Sequence, residues 1–279
     1  MFTSKARLVV GLTTYYHENL GISVPALARF GGDIVLVIHN DNPDVKLSRR
    51  LVRRLGYRGA LHIINTSNNV GLLGARLAIL GYVRSKRINA GWFMFADDDD
   101  VVLSVDVPPV SSNTFAVIQN MAVIRTRLLD VLRIMHRPDN YIVDNQNICL
   151  VRPHIGLAGT LVRLDVILRT YDVLYSVYDD LMDISHGLNF LPPIDAMMWS
   201  GVNMVARAHD ADMVPIYMDN TNYIAINIDS ASEKYGMPVA PIKNVKSQMS
   251  RALSRYNSVI ASGLAAMQSA APVGQESNT

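Results

Sequence analysis

Trp92-Phe93-Met94-Phe95-Ala96-Asp97-Asp98-Asp99-Asp100-Val101-Val102 is an apolar run that stops in four consecutive carboxylates and then turns apolar again. Four adjacent acids repel one another and are tolerable only when solvated or when a cation sits among them. Two readings follow. One is an acidic turn after a strand. The other is a site for a hard divalent cation, placed where open α/β sheets bind ligands, at the C-terminal end of a strand. The surrounding chain favours the second.

The chain has 279 residues, 49% apolar and 18% charged. That suffices for one large α/β domain with a substantial core. The net charge of +2 makes no demand for a nucleic-acid partner. The single cysteine, Cys149, excludes an internal disulfide and a thiolate zinc site, so a reducing, cytoplasmic compartment is expected. The first apolar run meets Thr13, Thr14, Tyr15, Tyr16 and His17 too soon for a signal-peptide core and reads as a strand. Nowhere are there enough consecutive apolar residues for a membrane span.

Working outward from the acids, the preceding residues alternate between strands and helices. Strands are expected at 7–12, 33–39, 60–64 and 92–96, and helices at 19–30, 44–55 and 72–84. The β-α-β-α-β-α-β order implies a parallel sheet with helices on both faces, its polar loops gathered on one edge. The second half is less regular. Phe115, Ile118, Met121, Leu128, Leu132 and Met135 recur at roughly helical spacing, so a helix is expected within 115–135, ended by His136–Asn140. Further strands are expected at 148–151, 155–162, 213–218 and 223–228, and helices at 163–176, 195–206 and 245–267, with a loop at 189–193. The organisation read from this is a first half over 1–102, a second over 103–230, a helical extension over 231–268 and a disordered tail over 269–279.

These pieces resemble the GT-A glycosyltransferases, in particular the family-2-like group. Leu12-Thr13-Thr14-Tyr15-Tyr16 is similar to that family's base-binding loop, with Tyr16 where Asn is usual. His39-Asn40-Asp41-Asn42 stands at the second-strand motif, with His39 and Asn40 in place of the usual Asp. Asn69-Val70-Gly71 with Ala75-Arg76 is similar to the Asn-x-Gly and Ala-Arg segment, and Asp97–Asp100 to the Asp-x-Asp signature. The resemblance implies an α/β GT-A fold, its central sheet mostly parallel, the first half binding a nucleotide-sugar and the second an acceptor. It implies transfer of a hexose or related sugar from a UDP- or GDP-linked donor to an acceptor that is either a saccharide of a surface polysaccharide or a glycolipid.

Such chemistry leaves negative charge on a nucleoside diphosphate, which Mn²⁺ or Mg²⁺ stabilises. The implied cation ligands are Asp97 and Asp99, with Asp98 and Asp100 open because four acids in a row leave the register ambiguous. Thr13, Tyr15, Asn40, Arg76 and Asp97 are the implied nucleotide contacts, Tyr15 by stacking on the base. An inverting transferase also needs a general base. The resemblance implies Asp195 for that role, Pro192-Pro193-Ile194-Asp195 standing where the family places an acidic pair before a helix, against its alternative as a helix N-cap. Tyr178-Asp179-Asp180 is the competitor, and without either a retaining route stays open. His209 or His154 could complete a metal site, or serve only as hydrogen-bonding residues. No His pair brackets a Glu at helical spacing, so a zinc hydrolase is not indicated.

The acid-free segment 46–58, with Lys46, Arg49, Arg50, Arg53, Arg54 and Arg58, reads either as a solvated helix face or as a dock on anionic lipid at the inner face of a membrane. The 245–267 helix could dock there too or pack back on the domain. Two other functions compete. A sugar-nucleotide pyrophosphorylase would carry a Gly-rich first loop, which Thr13–Glu18 is not. A non-catalytic carbohydrate- or partner-binding protein would keep the fold without depending on Asp97 and Asp99.

Overall fold

The computed structural model describes residues 7–105, 107–111, 113–124, 148–151, 157–186, 194–226 and 242–270. The first half alternates as expected: β1 (Leu8–Thr14), α1 (Leu20–Ala28), β2 (Ile34–Asn40), α2 (Arg49–Arg54), β3 (Ala60–Asn65), α3 (Gly71–Ser85) and β4 (Trp92–Asp97). These strands lie parallel in the order β3-β2-β1-β4. β2, Ile-Val-Leu-Val-Ile-His-Asn, is buried along its whole length, because helices cover both faces.

Successive side chains point to opposite faces, and the two faces have separate cores. Leu12, Ile38 and Met94 meet α1 and α2 residues such as Leu20 and Val52. Val37, Phe93 and Phe95 meet α3 residues such as Leu73 and Leu77. α3 lies so close to β1 that a Cβ on Gly11 would stand 2.9 Å from Ile79 Cγ2. Thr13 pairs with His39 on one side and Asp97 on the other, so these three share a row at the strand ends, on the α3 face.

The second half comprises β5 (Val101–Val102), β6 (Thr114–Ile124), β7 (Ile148–Val151), β8 (Leu161–Arg163), α4 (Leu164–Ser176), α5 (Tyr178–His186), α6 (Ile194–His209), β9 (Val214–Ile226) and α7 (Ile242–Ala270). The sheet continues β4-β8-β6-β9-β5, with β7 on β6. β4–β8, β8–β6 and β9–β5 are antiparallel and β6–β9 is parallel.

Several expectations are corrected here. The helix expected within 115–135 is instead a strand as far as Ile124, and the rest of that range lies outside the described residues. β6 is flanked by β8 and β9 and buried from Thr114 to Asn120, so it lacks the polar alternation that marks a half-exposed strand. The two strands expected at 213–218 and 223–228 are one, β9. The polar Asp219-Asn220-Thr221-Asn222 that read as a break runs inside it, with Asn120 Nδ2 donating to Asp219 across the β6–β9 ladder at 3.0 Å. The strand expected at 155–162 is described only from Leu161. α2 starts at Arg49, capped by Ser48 Oγ accepting from Leu51 N–H, five residues later than expected. The segments 136–140 and 189–193, His154 and the tail from 271 lie outside the described residues.

α7 packs back on the domain. Ala252, Tyr256 and Ile260, four residues apart, are buried, and Ser200 of α6 donates to Asn257 at 2.7 Å. Among the described residues no helix is long and apolar enough to cross a membrane.

Candidate active site

β4 delivers the four carboxylates, and the pleat distributes them. Asp97 follows Phe95 onto the α3 face, while Asp98 follows Ala96 onto the α1 face. Asp98 accepts from Thr14 Oγ at 2.6 Å and from Asn19 Nδ2 at 3.3 Å, so the β1–α1 loop closes on it. Burial pushes its carboxyl up to about 7; the Thr14 hydrogen bond opposes this and the charge of Asp99 adds to it. Asp100 is buried and accepts from the Tyr223 hydroxyl at 2.6 Å, and that hydroxyl in turn accepts from Asp97 N–H at 3.1 Å. The side chains of Asp98 and Asp100 are therefore tied to Thr14, Asn19 and Tyr223, while Asp97, Asp98 and Asp99 all keep partial exposure and only Asp100 is buried.

Arg76 is the centre of the arrangement. It projects from α3 and is 0% exposed. Its guanidinium lies over the Phe95 ring, 5.2 Å from the centroid. Nη1 donates to Asp195 Oδ1 at 2.6 Å and Nη2 to Asp97 Oδ1 at 3.3 Å. Burial alone would lower its pKa, but Asp195 and Asp97 more than offset that and raise it. Burial likewise raises Asp97, with Arg76 opposing and Asp195 adding to the rise. Asp195 sits in the first turn of α6, where the helix dipole favours an anion, and its Oδ1 also accepts from Ala158 N–H at 3.1 Å.

The loop that supplies Ala158 is stitched to β4 and β9. Gly159 N–H donates to Phe95 O at 2.9 Å, and Asn222 Nδ2 donates to Gly159 O at 3.3 Å. Gly159 has φ +75°, and a Cβ there would stand 2.7 Å from Tyr223 Cγ. Only glycine suits both the backbone and the tyrosine ring against it.

The remaining expected residues fall as follows. Thr13 and Tyr15 are half-buried on the β1 side of the carboxylates, Tyr15 edge-on to Tyr16. Asn40 is fully buried, on the face away from Thr13 and Asp97. Its Nδ2 donates to Val45 O and Asn65 Oδ1, and its Oδ1 accepts from Asn42 N–H and meets His17 Nε2 at 2.8 Å. It holds the β2–α2 loop together. Asp179 and Asp180 are exposed acids in the first turn of α5. His209 ends α6, fourteen residues from Asp195 and thus about 21 Å along the axis. Sequence reasoning missed Tyr223, Gly159 and Asp41. Asp41 accepts from Val70 and Gly71 N–H at 2.8 and 3.0 Å and so anchors the start of α3, the helix that carries Arg76.

Among the described residues, no three His, Cys, Asp or Glu side chains form a set that could hold a metal ion unaided. The donor chemistry still fits a hard divalent cation. Asp97 and Asp99 offer carboxylate oxygens, and Mg²⁺-type sites take one or two protein carboxylates and complete their shell with phosphate and water. Arg76 offsets only one of the two charges of Asp97 and Asp195. A diphosphate approaching this edge meets net negative charge unless a cation accompanies it.

Comparison with solved structures finds Staphylococcus aureus TarS, residues 1–349, at 13% identity and a TM-score of 0.50, covering 94% of this chain and 83% of that one. It also finds the apo-form glycosyltransferase GlyE of Streptococcus pneumoniae TIGR4 at 9% identity and a TM-score of 0.40, covering 94% of this chain and 64% of that one. No family model and no curated protein matches the chain. The likeness to TarS is one of fold, and the fold is the mixed α/β, GT-A-like type.

Proposed function

We propose that this chain is a metal-assisted glycosyltransferase that moves a sugar from a nucleoside-diphosphate sugar to a hydroxyl of a saccharide or glycolipid. The observation that carries this reading is the double ion pair of one buried arginine, Arg76, with Asp97 at the end of β4 and Asp195 at the start of α6. Residues separated by most of the fold are drawn to one point, and a buried cation is costly unless paired. That arrangement suits a site where the carboxylate serving the departing diphosphate and a proton acceptor must keep a fixed separation.

In this reading Asp195 takes the proton of the acceptor hydroxyl. The freed oxygen attacks the anomeric carbon, the bond from that carbon to the phosphate oxygen breaks, and the nucleoside diphosphate leaves with its electron pair. Mn²⁺ or Mg²⁺, held by Asp97 and Asp99, would supply neutralisation of the diphosphate charge. Arg76 keeps Asp195 oriented. Thr13 and Tyr15, at the end of β1, are placed to flank the nucleotide. Because Asn19 closes the β1–α1 loop onto Asp98, that loop is no open phosphate cradle, which supports a transferase over a pyrophosphorylase.

The test is release of nucleoside diphosphate from a panel of nucleotide-sugars with Mn²⁺. Release from one donor that disappears in Asp195→Asn and in Asp97→Asn supports the reading. Release from none, together with carbohydrate binding indifferent to Asp97→Asn, would make the chain a binding protein.

A further inference from the structure

Between Asp44 and Asp97 the chain has ten basic residues and no acidic one, while all 24 acids and the other 16 bases lie elsewhere. Eight of the ten are arginines. The fold turns this segregation in sequence into a segregation in space. The segment supplies α2, β3 and α3, and among the described residues β3 is the edge strand of the sheet, bonded only to β2. α2 covers one face of this edge and α3 the other.

Eight of the cations are exposed; apart from Arg84, which pairs with Asp172, they are Lys46, Arg49, Arg50, Arg54 and Arg58 on the α2 side of that edge, and Lys86 and Arg87 after α3. The three others are committed. Arg53 donates to Tyr57 O and Gly59 O, Arg84 pairs with Asp172, and Arg76 belongs to the site above. The two sides meet at His62 on β3. Its Nδ1 lies 3.2 Å from Tyr82 Oη, and Lys86 Nζ lies 5.7 Å from the Tyr82 ring centroid. Burial, then the positive charges of Arg49 and Lys86, hold His62 below its ordinary pKa, so both charges are felt at one side chain. The cations thus form one band around the rim.

We infer that the α2–β3–α3 edge is an electrostatic docking surface for an anionic lipid bilayer. Clusters of four to eight Lys and Arg bind acidic headgroups, and seven exposed cations from a stretch of sequence that holds no acid reach that range, Asp172 being matched by Arg84. The arginine bias suits phosphate, which a guanidinium meets with two hydrogen bonds. The band follows the outer rim of a sheet and wraps no groove. α2 is six residues long, too short to fill a major groove, and none of its exposed residues is aromatic to stack a base. Beside Lys46 stands Val45, 50% exposed, an apolar side chain at the level of the headgroups. A membrane fits these features better than a nucleic acid does. The acid-rich remainder is repelled by the same surface, so the chain would lie with this edge down.

The experiment is vesicle co-sedimentation of the full chain, with phosphatidylcholine alone and with added phosphatidylglycerol, at low and high salt. The expected result is binding to the anionic vesicles only, weakened by salt. The Lys46→Gln, Arg49→Gln, Arg50→Gln, Arg54→Gln variant should bind more than 100-fold more weakly, at about fivefold per charge. A control variant, Arg169→Gln, Arg207→Gln, Arg251→Gln, Arg255→Gln, loses the same charge from exposed positions elsewhere and should lose less than tenfold. An unchanged melting temperature checks that each is folded. Equal losses in the two variants, binding to neutral vesicles, no vesicle binding, or a nucleic-acid duplex that competes the chain off the vesicles would each overturn the inference. The vesicle assay is independent of any sugar transfer, so it can fail while the active-site reading stands.

Discussion

Arg76 Nη1 lies 2.6 Å from Asp195 Oδ1, and the residues that meet there come from opposite halves of the chain. This contact makes α3 and α6 one unit at the carboxylate edge of the sheet. Arg76→Lys keeps a charge but cannot span two carboxylates, so turnover should fall on the order of 100-fold with the fold retained. Arg76→Met removes the charge and leaves Asp97 and Asp195 opposed. Because both carboxylates are about one-third exposed and screened, the stability loss should be about 2 kcal/mol, less than for a fully buried pair. Urea unfolding beside a turnover assay separates the two effects.

Asp195→Asn keeps the shape and removes the proposed proton acceptor. Turnover should fall between about 100- and 10,000-fold while donor affinity stays within a fewfold of wild type. A comparable loss in donor affinity would make Asp195 a binding residue.

The four acids should not respond alike. Asp97→Asn and Asp99→Asn should abolish Mn²⁺-dependent donor binding. Tyr223→Phe removes the hydroxyl that joins Asp97 N–H to Asp100, and should cost about 2 kcal/mol of stability without abolishing the metal dependence. Gly159→Ala puts a Cβ into the Tyr223 ring at positive φ and should cost about 3 kcal/mol. Thermal melts of these variants check the order.

His39 is buried at the end of β2 and, among the described residues, its Nδ1 has no hydrogen-bond partner. Burial lowers its pKa to about 4 from 6.5. The unfolded chain therefore binds the proton more readily, and stability from this group is lost as pH falls from 6.5 toward 4, at about 1.4 kcal/mol per pH unit and up to about 3 kcal/mol in all. Asp98, raised to about 7, works the other way over an overlapping range. The clean observable is the difference between wild type and His39→Leu, which should shift in favour of the variant on acidification. A difference independent of pH would show that His39 is not buried neutral.

The parallel half of the fold was legible because its signals are local. Short apolar runs alternate with amphipathic helices between Gly, Asn and Asp punctuation, and β1 through β4 fall within two residues of expectation. β6 was not legible. Phe115, Ile118 and Met121 repeat at a spacing that also suits a helix, and a strand covered on both sides shows no alternation to contradict it. β9 was split because its central polar residues bond across the sheet, a fact of partners and not of sequence. At the site, the acid cluster stood out by residue type, and Arg76 only through the resemblance of Asn69-Val70-Gly71 and Ala75-Arg76 to the glycosyltransferase segment. The division of labour among the four acids did not, because it depends on Thr14, Asn19 and Tyr223 arriving from elsewhere. The engagement of the Asn40 amide by residues 42, 45 and 65 was likewise illegible, because those partners meet it only once the loop closes.

The most direct test of the Arg76-centred site is calorimetric titration of the chain with UDP, GDP, dTDP and CDP, with and without Mn²⁺. The account predicts that one of them binds only with the metal, that Asp97→Asn and Asp99→Asn abolish this binding, and that Asp195→Asn preserves it. Binding that persists without metal and survives both substitutions, or no binding by any of the four, would contradict it.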